Sequence, residues 1–423
     1  MLANLWFYLR PRGWLKMLTK SVAGGNVVLL PSRWFFIRDL LKMVRVGTYL
    51  TQRFVRVSGK MLCSRIAPQK TPLCRNVRGE KNMIKVGVIG YGYWGPNLVR
   101  NFATSGKTTL AMVCDLHSKR LAQAQLNYPG VKVTTDYREV IADPGIDAIA
   151  VATPVSTHFP LVMAALQAGK HVLVEKPLTS SAEEGRRLLE EVEKRQLVLL
   201  VGHTFTYTGA VRKIRELIHS GELGLIWYYD SIRVNLGMFQ HDVDVIWDLA
   251  VHDLSILDFV LNAKPLMVSA TGMCHVAGRR ENVAYLTLFF DHNLIGHINV
   301  NWLSPVKVRQ TLIGGSKKMI VYDDLEPSEK IKVYDRGITV SKTDEQRYQI
   351  LVDYRTGDMW APWIDRTEAL KTEVRHFAAC IEEGSRPLTD VRVGLRVVSM
   401  LEAASQSMKE NGRPIKLQLE ELA

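Results

Sequence analysis

The sequence predicts an α/β domain built on a parallel sheet, followed by an α+β domain with a large, mostly antiparallel open sheet. Three observations carry this. From residue 83 to about 202, short apolar runs alternate with amphipathic helical stretches. A glycine-rich turn directly follows the first of those runs. After about residue 203 the texture changes, and a string of longer strand candidates appears. The predicted units are 83–203 and 204–423, with 1–82 as a basic extension outside the fold.

At 423 residues, 47% hydrophobic and 23% charged, the chain has the composition of a globular protein with room for two cores. No run of about 18 apolar residues occurs, so no membrane span is expected. The five cysteines, Cys63, Cys74, Cys114, Cys274 and Cys380, are scattered and never form a C-x-x-C pair. That pattern argues for a reducing, cytoplasmic setting and against a disulfide framework or a metal site.

The net charge of +13 resembles a nucleic-acid signal until it is divided along the chain. Residues 1–82 hold 16 of the 55 Lys/Arg but only Asp39 and Glu80 of the 42 acids, leaving 39 bases and 40 acids for the rest. The body is neutral, so no nucleic-acid partner is expected for it. The extension mixes apolar clusters (Leu5 to Leu9, Trp34 to Ile37) with arginines and shows no sustained period. Translated upstream sequence before a start at Met83 is the reading favoured; a transit-type targeting segment or a membrane or nucleic-acid arm are the alternatives.

Within the body, strands are expected at 84–89, 109–114, 146–152, 171–174 and 197–201. Their continuous apolar character suits parallel strands buried on both faces. Helices are expected at 156–168 and 181–195, the second opened by Ser180 and Ser181 with Glu183 and Glu184 three residues on, a capping box. Farther on, helices are expected at 209–220 and 243–261, strands at 225–235, 266–276, 282–290, 294–302, 306–314 and 317–323, and closing helices at 366–383 and 390–410. His297 to Trp302 alternates polar and apolar, marking one buried and one wetter sheet face.

Gly90-Tyr91-Gly92-Tyr93-Trp94-Gly95 fits G-x-G-x-x-G after the first strand, the position of a Rossmann-type dinucleotide loop. Gly90 allows the tight turn, Gly92 lets the backbone approach a pyrophosphate, and Gly95 lets the next helix pack closely. Asp115 ends the second strand, where a carboxylate accepts hydrogen bonds from a ribose diol and repels a 2′-phosphate. NAD is therefore expected over NADP, although Lys119 and Arg120 weaken the preference.

Ligands of such sheets sit at the carboxyl ends of the strands. Two of those ends carry polar clusters, Thr153-Pro154-Val155-Ser156-Thr157-His158 and Glu175-Lys176-Pro177. Lys176 there is placed to bond a reacting oxygen; on spacing alone, a surface ion pair with Glu175 fits as well. In Trp247-Asp248-Leu249-Ala250-Val251-His252-Asp253, Asp248 and His252 are i and i+4 on a helix. A carboxylate beside an imidazole raises its pKa and orients it as a general base, yet such pairs are more often helix contacts. His203, His241, His275 and His297 lack any such neighbour and read as ordinary histidines.

Taken in order, these motifs make residues 84 to about 416 resemble the Gfo/Idh/MocA oxidoreductases. Glu373-Val-Arg-His-Phe through Arg386-Pro387-Leu-Thr-Asp390 resembles the C-terminal helices of that family. The resemblance implies that Lys176, after a cis bond to Pro177, contacts the substrate hydroxyl. It implies that His252 is the acid/base and that Asp248 orients and polarises it. Tyr93, Trp94, Thr153, Pro154, His158, Glu175 and Lys176 join the three glycines and Asp115 as the implied cofactor site. A homodimer or homotetramer through the open sheet face is also implied.

Many relatives carry an arginine, an aromatic and Asn-Pro where this chain reads Thr206-Tyr207-Thr208-Gly209. That stretch borders the substrate in the family, so Tyr207 is a candidate contact while substrate identity stays open. Gly202-His203-Thr204-Phe205 and the 90–96 loop resemble most the relatives acting on nucleotide-activated sugars, such as UDP-N-acetylglucosamine-type 3-dehydrogenases. Arg233, Asn235 and Gln240 are candidate polar contacts to such a substrate, with Lys176 and His252. The expected activity is NAD-dependent dehydrogenation of a sugar hydroxyl. The alternatives are a lyase or glycosidase that retains its NAD, and a non-catalytic dinucleotide sensor, which would not need Lys176, Asp248 and His252 together.

Overall fold

The computed structural model describes residues 83–237, 243–276, 280–340 and 352–419. The extension 1–82, with the expected start at Met83, lies outside the described residues, as do Gln240 and His241.

The first sheet has six strands: β1 (Ile84–Ile89), β2 (Thr108–Cys114), β3 (Lys132–Thr134), β4 (Ala148–Val151), β5 (His171–Glu175) and β6 (Leu199–Gly202). Their order is β3-β2-β1-β4-β5-β6 and every pairing is parallel. Every residue of β4 and of β6 is buried, because helices cover both faces. The Ala182–Arg195 helix starts with the expected capping box: Ser181 accepts from the Glu184 N–H at 3.2 Å, and Glu184 Oε2 accepts from the Ser180 N–H at 3.1 Å. The short strand β3 was not expected, since three residues carry too little periodicity to read.

The second sheet is built from β7 (Ile226–Leu236), β8 (Met267–Met273), β9 (Val283–Phe289), β10 (Ile295–Asn301), β11 (Leu303–Gly315), β12 (Met319–Asp323) and β13 (Ile331–Tyr334), with a separate hairpin of β14 (Gly337–Val340) and β15 (Val352–Arg355). The short strands β16 (Met359–Trp360) and β17 (Ile415–Lys416) close its edges, giving the order β16-β13-β12-β11-β7-β10-β9-β8-β17. All pairings are antiparallel except β10 with β7. The alternation read at 297–302 holds: Ile298, Val300 and Trp302 are buried while His297, Asn299 and Asn301 are only partly so.

The two C-terminal helices, Ala369–Glu383 and Val391–Lys409, return to the first sheet. Phe377 meets Phe102 edge-on at 6.5 Å, and Leu395 and Val398 join the core beneath β5 and β6. Thr389 clasps Val201 through its backbone carbonyl and its hydroxyl. The second domain's own helix, Val251–Val260, is fastened to Val391–Lys409 by the buried Arg396–Asp258 pair, with Lys264 as a second cation on the same carboxylate. These contacts tie the Val251–Val260 helix to the first sheet through Val391–Lys409.

Candidate active site

The glycine loop has the geometry a dinucleotide needs. Gly90 has φ +101°, and a Cβ there would lie 2.3 Å from the carbonyl oxygen of Ala152. A Cβ on Gly95 would lie 2.2 Å from the Gly90 carbonyl oxygen, so only glycine lets the Gly95–Thr104 helix approach this closely. Gly92 faces open space apart from one guanidinium nitrogen of Arg120, 3.7 Å from where its Cβ would be. The helix begins with proline in its first turn and no side-chain cap, which leaves backbone N–H groups for a phosphate. Tyr93 projects outward, 86% exposed. The Trp94 indole N–H is buried without a partner. The residues present therefore fit a dinucleotide.

Asp115 stands at the end of this loop. Its Oδ2 accepts from the Tyr91 N–H at 2.7 Å and its Oδ1 from the His117 N–H at 2.8 Å. Arg120 Nη1 reaches both oxygens at 3.4 and 3.5 Å. Burial opposes the charge, but the His117 and Tyr91 bonds outweigh it and hold the carboxyl below its usual range. The cation beside it, Arg120, is a natural partner for a 2′-phosphate, so the acid does not act alone.

At the carboxyl ends of β4 and β5 stands the buried His158. Its Nδ1 lies 2.8 Å from the Pro177 carbonyl oxygen and its Nε2 2.8 Å from that of Thr153, so the buried ring joins the two strand-end loops. Thr153 accepts from the Thr157 hydroxyl at 2.7 Å, and the Pro154 carbonyl caps the short turn that follows. The Lys176–Pro177 peptide is cis.

Lys176 and Asp248 come together, though not as spacing suggested. Ile246–Ala250 is a π turn, one residue wider than an α turn, before the Val251–Val260 helix. Lys176 Nζ donates to the Asp248 carbonyl oxygen at 3.0 Å and lies 3.5 Å from its Oδ1. Asp248 Oδ2 accepts from the Trp302 indole at 3.1 Å. The carboxylate is thus committed to Lys176 and Trp302 and makes no hydrogen bond to His252. A pocket of about 730 Å³ adjoins the turn, with Trp247 in its wall donating to Ser405 at 2.9 Å.

His252 is corrected in sign as well. Its pKa is pulled well below the usual imidazole range, first by burial, then by the charges of Lys176 and Arg233. Its Nδ1 is buried with no hydrogen bond among the described residues, while the residue as a whole is partly exposed. Phe205 packs against the ring edge-on, with centroids 5.0 Å apart. Burial and the nearby ammonium of Lys176 thus disfavour the charged form of this imidazole.

Behind Lys176 lies a set of buried titratable groups. Burial pushes Glu175 up to about 7 against the pull of Lys176, and its Oε1 has no hydrogen-bond partner. Glu373 is raised well above the carboxylate range, by burial and then by Glu175, while accepting from the Thr204 hydroxyl at 2.8 Å. Burial draws His203 down to about 4, and neither of its ring nitrogens has a partner. His203 is thus a core histidine, as its lack of neighbour pattern suggested.

Two substrate candidates do not reach the cleft as expected. Tyr207 is 2% exposed, its hydroxyl 3.0 Å from the Thr389 hydroxyl and its ring in the core with Phe377. Arg233 is buried too: Nε and Nη2 grip Asp253 at 2.6 and 3.2 Å, and its guanidinium stacks over Phe205 at 4.7 Å. Asn235, two residues along β7 in the same alternation, is partly exposed. Sequence reasoning missed Phe205, Trp302 and Arg309; nothing local marks them, because each reaches the site through cross-strand register or domain packing.

A glycine loop on a parallel sheet, a strand-end lysine and a neutral histidine from the neighbouring domain define a dinucleotide-dependent oxidoreductase. Residues 84–203 match "Oxidoreductase family, NAD-binding Rossmann fold" and residues 215–417 match "Oxidoreductase family, C-terminal alpha/beta domain", so the chain belongs to the Gfo/Idh/MocA family. It is 26% identical over 353 residues to the NAD-dependent scyllo-inositol 2-dehydrogenase of Bacillus subtilis, covering 80% of this chain and 97% of that protein. An NADP-dependent scyllo-inositol 2-dehydrogenase of the same organism is 27% identical over 360 residues, covering 79% and 96%. UDP-N-acetylglucosamine 3-dehydrogenase of Acidithiobacillus ferrooxidans is 33% identical over 214 residues, 48% of this chain and 63% of that one. Its solved structure matches with a TM-score of 0.65 and 25% identity, covering 77% of this chain and 97% of that chain.

Proposed function

We propose that this chain oxidises a hydroxyl of a sugar, most simply a nucleotide-activated sugar, with NAD as hydride acceptor. The observation that carries the reading is Lys176 at the carboxyl end of β5, held on the main chain of Asp248 in the turn that leads into the His252 helix. In this reading Lys176 donates a hydrogen bond to the reacting oxygen, and His252 Nε2 takes the hydroxyl proton. Asp248 holds the ammonium in place through its carbonyl and carboxylate rather than acting on the imidazole. NAD, when bound, supplies the site that accepts the hydride. Asp115 favours NAD over NADP through its charge, with Arg120 opposing that preference.

The similarity to a UDP-N-acetylglucosamine 3-dehydrogenase supports a sugar nucleotide, and the inositol dehydrogenases support a cyclitol. A homodimer or homotetramer in the cytoplasm is part of the same reading. The open sheet face leaves Tyr285 and Ile295 each exposed by 46%, and a second copy would cover them. Among the described residues, no helix is long and apolar enough to cross a membrane.

The test is NADH formation with UDP-sugars, free sugars and inositols, beside Lys176→Ala. Turnover abolished in the variant supports the reading. A tightly held dinucleotide with no net NADH from any substrate would replace it with the retained-cofactor or sensor alternatives.

A further inference from the structure

Two arginines stand in direct opposition behind Phe205. Arg233 on β7 and Arg309 on β11 are register partners across an antiparallel pair. Both guanidiniums lie over the same ring, that of Phe205, at 4.7 and 5.9 Å. Like charges opposite one another weaken a sheet unless something neutralises them.

The protein neutralises them incompletely. Asp253 is taken up by Arg233, through Nε and Nη2. Asp324 is shared: it accepts from Arg309 Nη1 at 3.4 Å and pairs with Lys330 at 3.4 Å as well. Lys176 has Asp248. Among the described residues one cation therefore remains in excess around Phe205. Its location is visible in the hydrogen bonds. In Arg233 and in Arg396 the Nε–Nη2 edge is filled by a carboxylate, Asp253 and Asp258. In Arg309 that same edge shows no hydrogen bond among the described residues, and its Nε is buried. Arg233 adds a second buried donor without a partner, Nη1.

We propose that Arg309, backed by Arg233, forms an anion subsite beside His252, and that the substrate's sugar ring carries a carboxylate or phosphate substituent there. The Arg309 side chain is 27% exposed although its Nε is buried, and a guanidinium pairs well with the oxygens of either group. Phe205 touches both the subsite and the base, its ring 5.9 Å from the Arg309 guanidinium and 5.0 Å from the His252 ring. The neighbouring pocket offers no such excess, since Asp244, Glu281 and Glu402 face Arg280 and Lys409 there. This inference rests on the sugar-dehydrogenase reading only for the identity of the ring; the anion subsite is tested by binding.

The experiment is calorimetric titration of the full chain, loaded with NAD, with D-glucuronate, D-glucose 1-phosphate and D-glucose, in wild type and in Arg309→Met and Arg309→Lys. Arg309→Met leaves Asp324 paired with Lys330, and Arg309→Lys keeps the charge but not the fork. At least one anion is expected to bind roughly tenfold or more tighter than glucose, with the preference lost in Arg309→Met and partly kept in Arg309→Lys. Preference for glucuronate alone assigns a ring carboxylate; preference for glucose 1-phosphate alone assigns the phosphate of an activated sugar. Equal affinities, no binding of either anion, or a preference untouched in both variants overturns the subsite. NADH assays separate the two readings. NADH formation from a substrate whose anion binding is unchanged in Arg309→Met would remove the subsite and leave the dehydrogenase. Arg309-dependent anion binding without hydride transfer to any substrate would do the reverse.

Discussion

Lys176 reaches out of the first domain to the main-chain carbonyl of Asp248 in the second, at 3.0 Å, and lies 3.5 Å from that residue's carboxylate. The stronger contact is to backbone, so the π turn that presents this carbonyl matters as much as the acidic side chain. Lys176→Met should lower kcat by roughly 10²–10⁴-fold with dinucleotide affinity retained. Asp248→Asn, which keeps the carbonyl and loses only the charge, should cost about tenfold. Equal losses in steady-state assays of the two variants would contradict this division.

His252 and His203 set the response to acid. Both have folded-state pKa values below the free value of 6.5, His203 at about 4. A base depressed on folding contributes stability that is present above about pH 6.5 and is lost as pH falls toward its folded value. Urea unfolding should therefore show the protein weakening between pH 6.5 and 4, and His203→Leu should flatten that slope. In kcat/KM profiles of the wild type, no acidic limb near pH 6.5 is expected from His252; a limb there that His252→Gln abolishes would refute its neutral state.

Cofactor choice turns on one carboxylate and one guanidinium. Asp115 is buried and held by Tyr91 and His117, whereas Arg120 is half-exposed beside Gly92. Arg120→Glu should leave NAD affinity within about threefold and weaken NADP by about tenfold or more, a difference near 1.4 kcal/mol. Fluorescence titration with both dinucleotides checks it; parallel losses would show that Arg120 serves the loop rather than the phosphate.

Gly95→Ala would set a methyl 2.2 Å from the Gly90 carbonyl oxygen, an atom of backbone that cannot turn aside. The variant should lose about 1–3 kcal/mol of stability and bind NAD weakly. An unchanged denaturation midpoint would mean that the helix can shift away from the loop without cost.

The sequence by itself determined the elements whose physics is local. The six strands' worth of apolar runs, the glycine loop, the capping box at Ser181 and the two-residue alternation at 297–302 are all set by neighbours within a few residues, and all but the three-residue strand β3 were legible. The strand-end position of Lys176 was legible for the same reason. Tertiary structure decided what depends on partners far apart in the chain. A π turn inserts one residue into a helix whose sequence reads as continuous, and this redirects Asp248 from His252 to Lys176 and Trp302. Tyr207 became core because the C-terminal helices carry Thr389 and Phe377 back onto the first sheet. The direction of the His252 shift reversed because burial and the cations Lys176, Arg233 and Arg309 arrive from three different elements. The opposition of Arg233 and Arg309 exists only once register pairs two strands 76 residues apart. Periodicity records which face a residue takes; charge, burial and hydrogen-bond vacancy depend on which strangers the fold brings to that face.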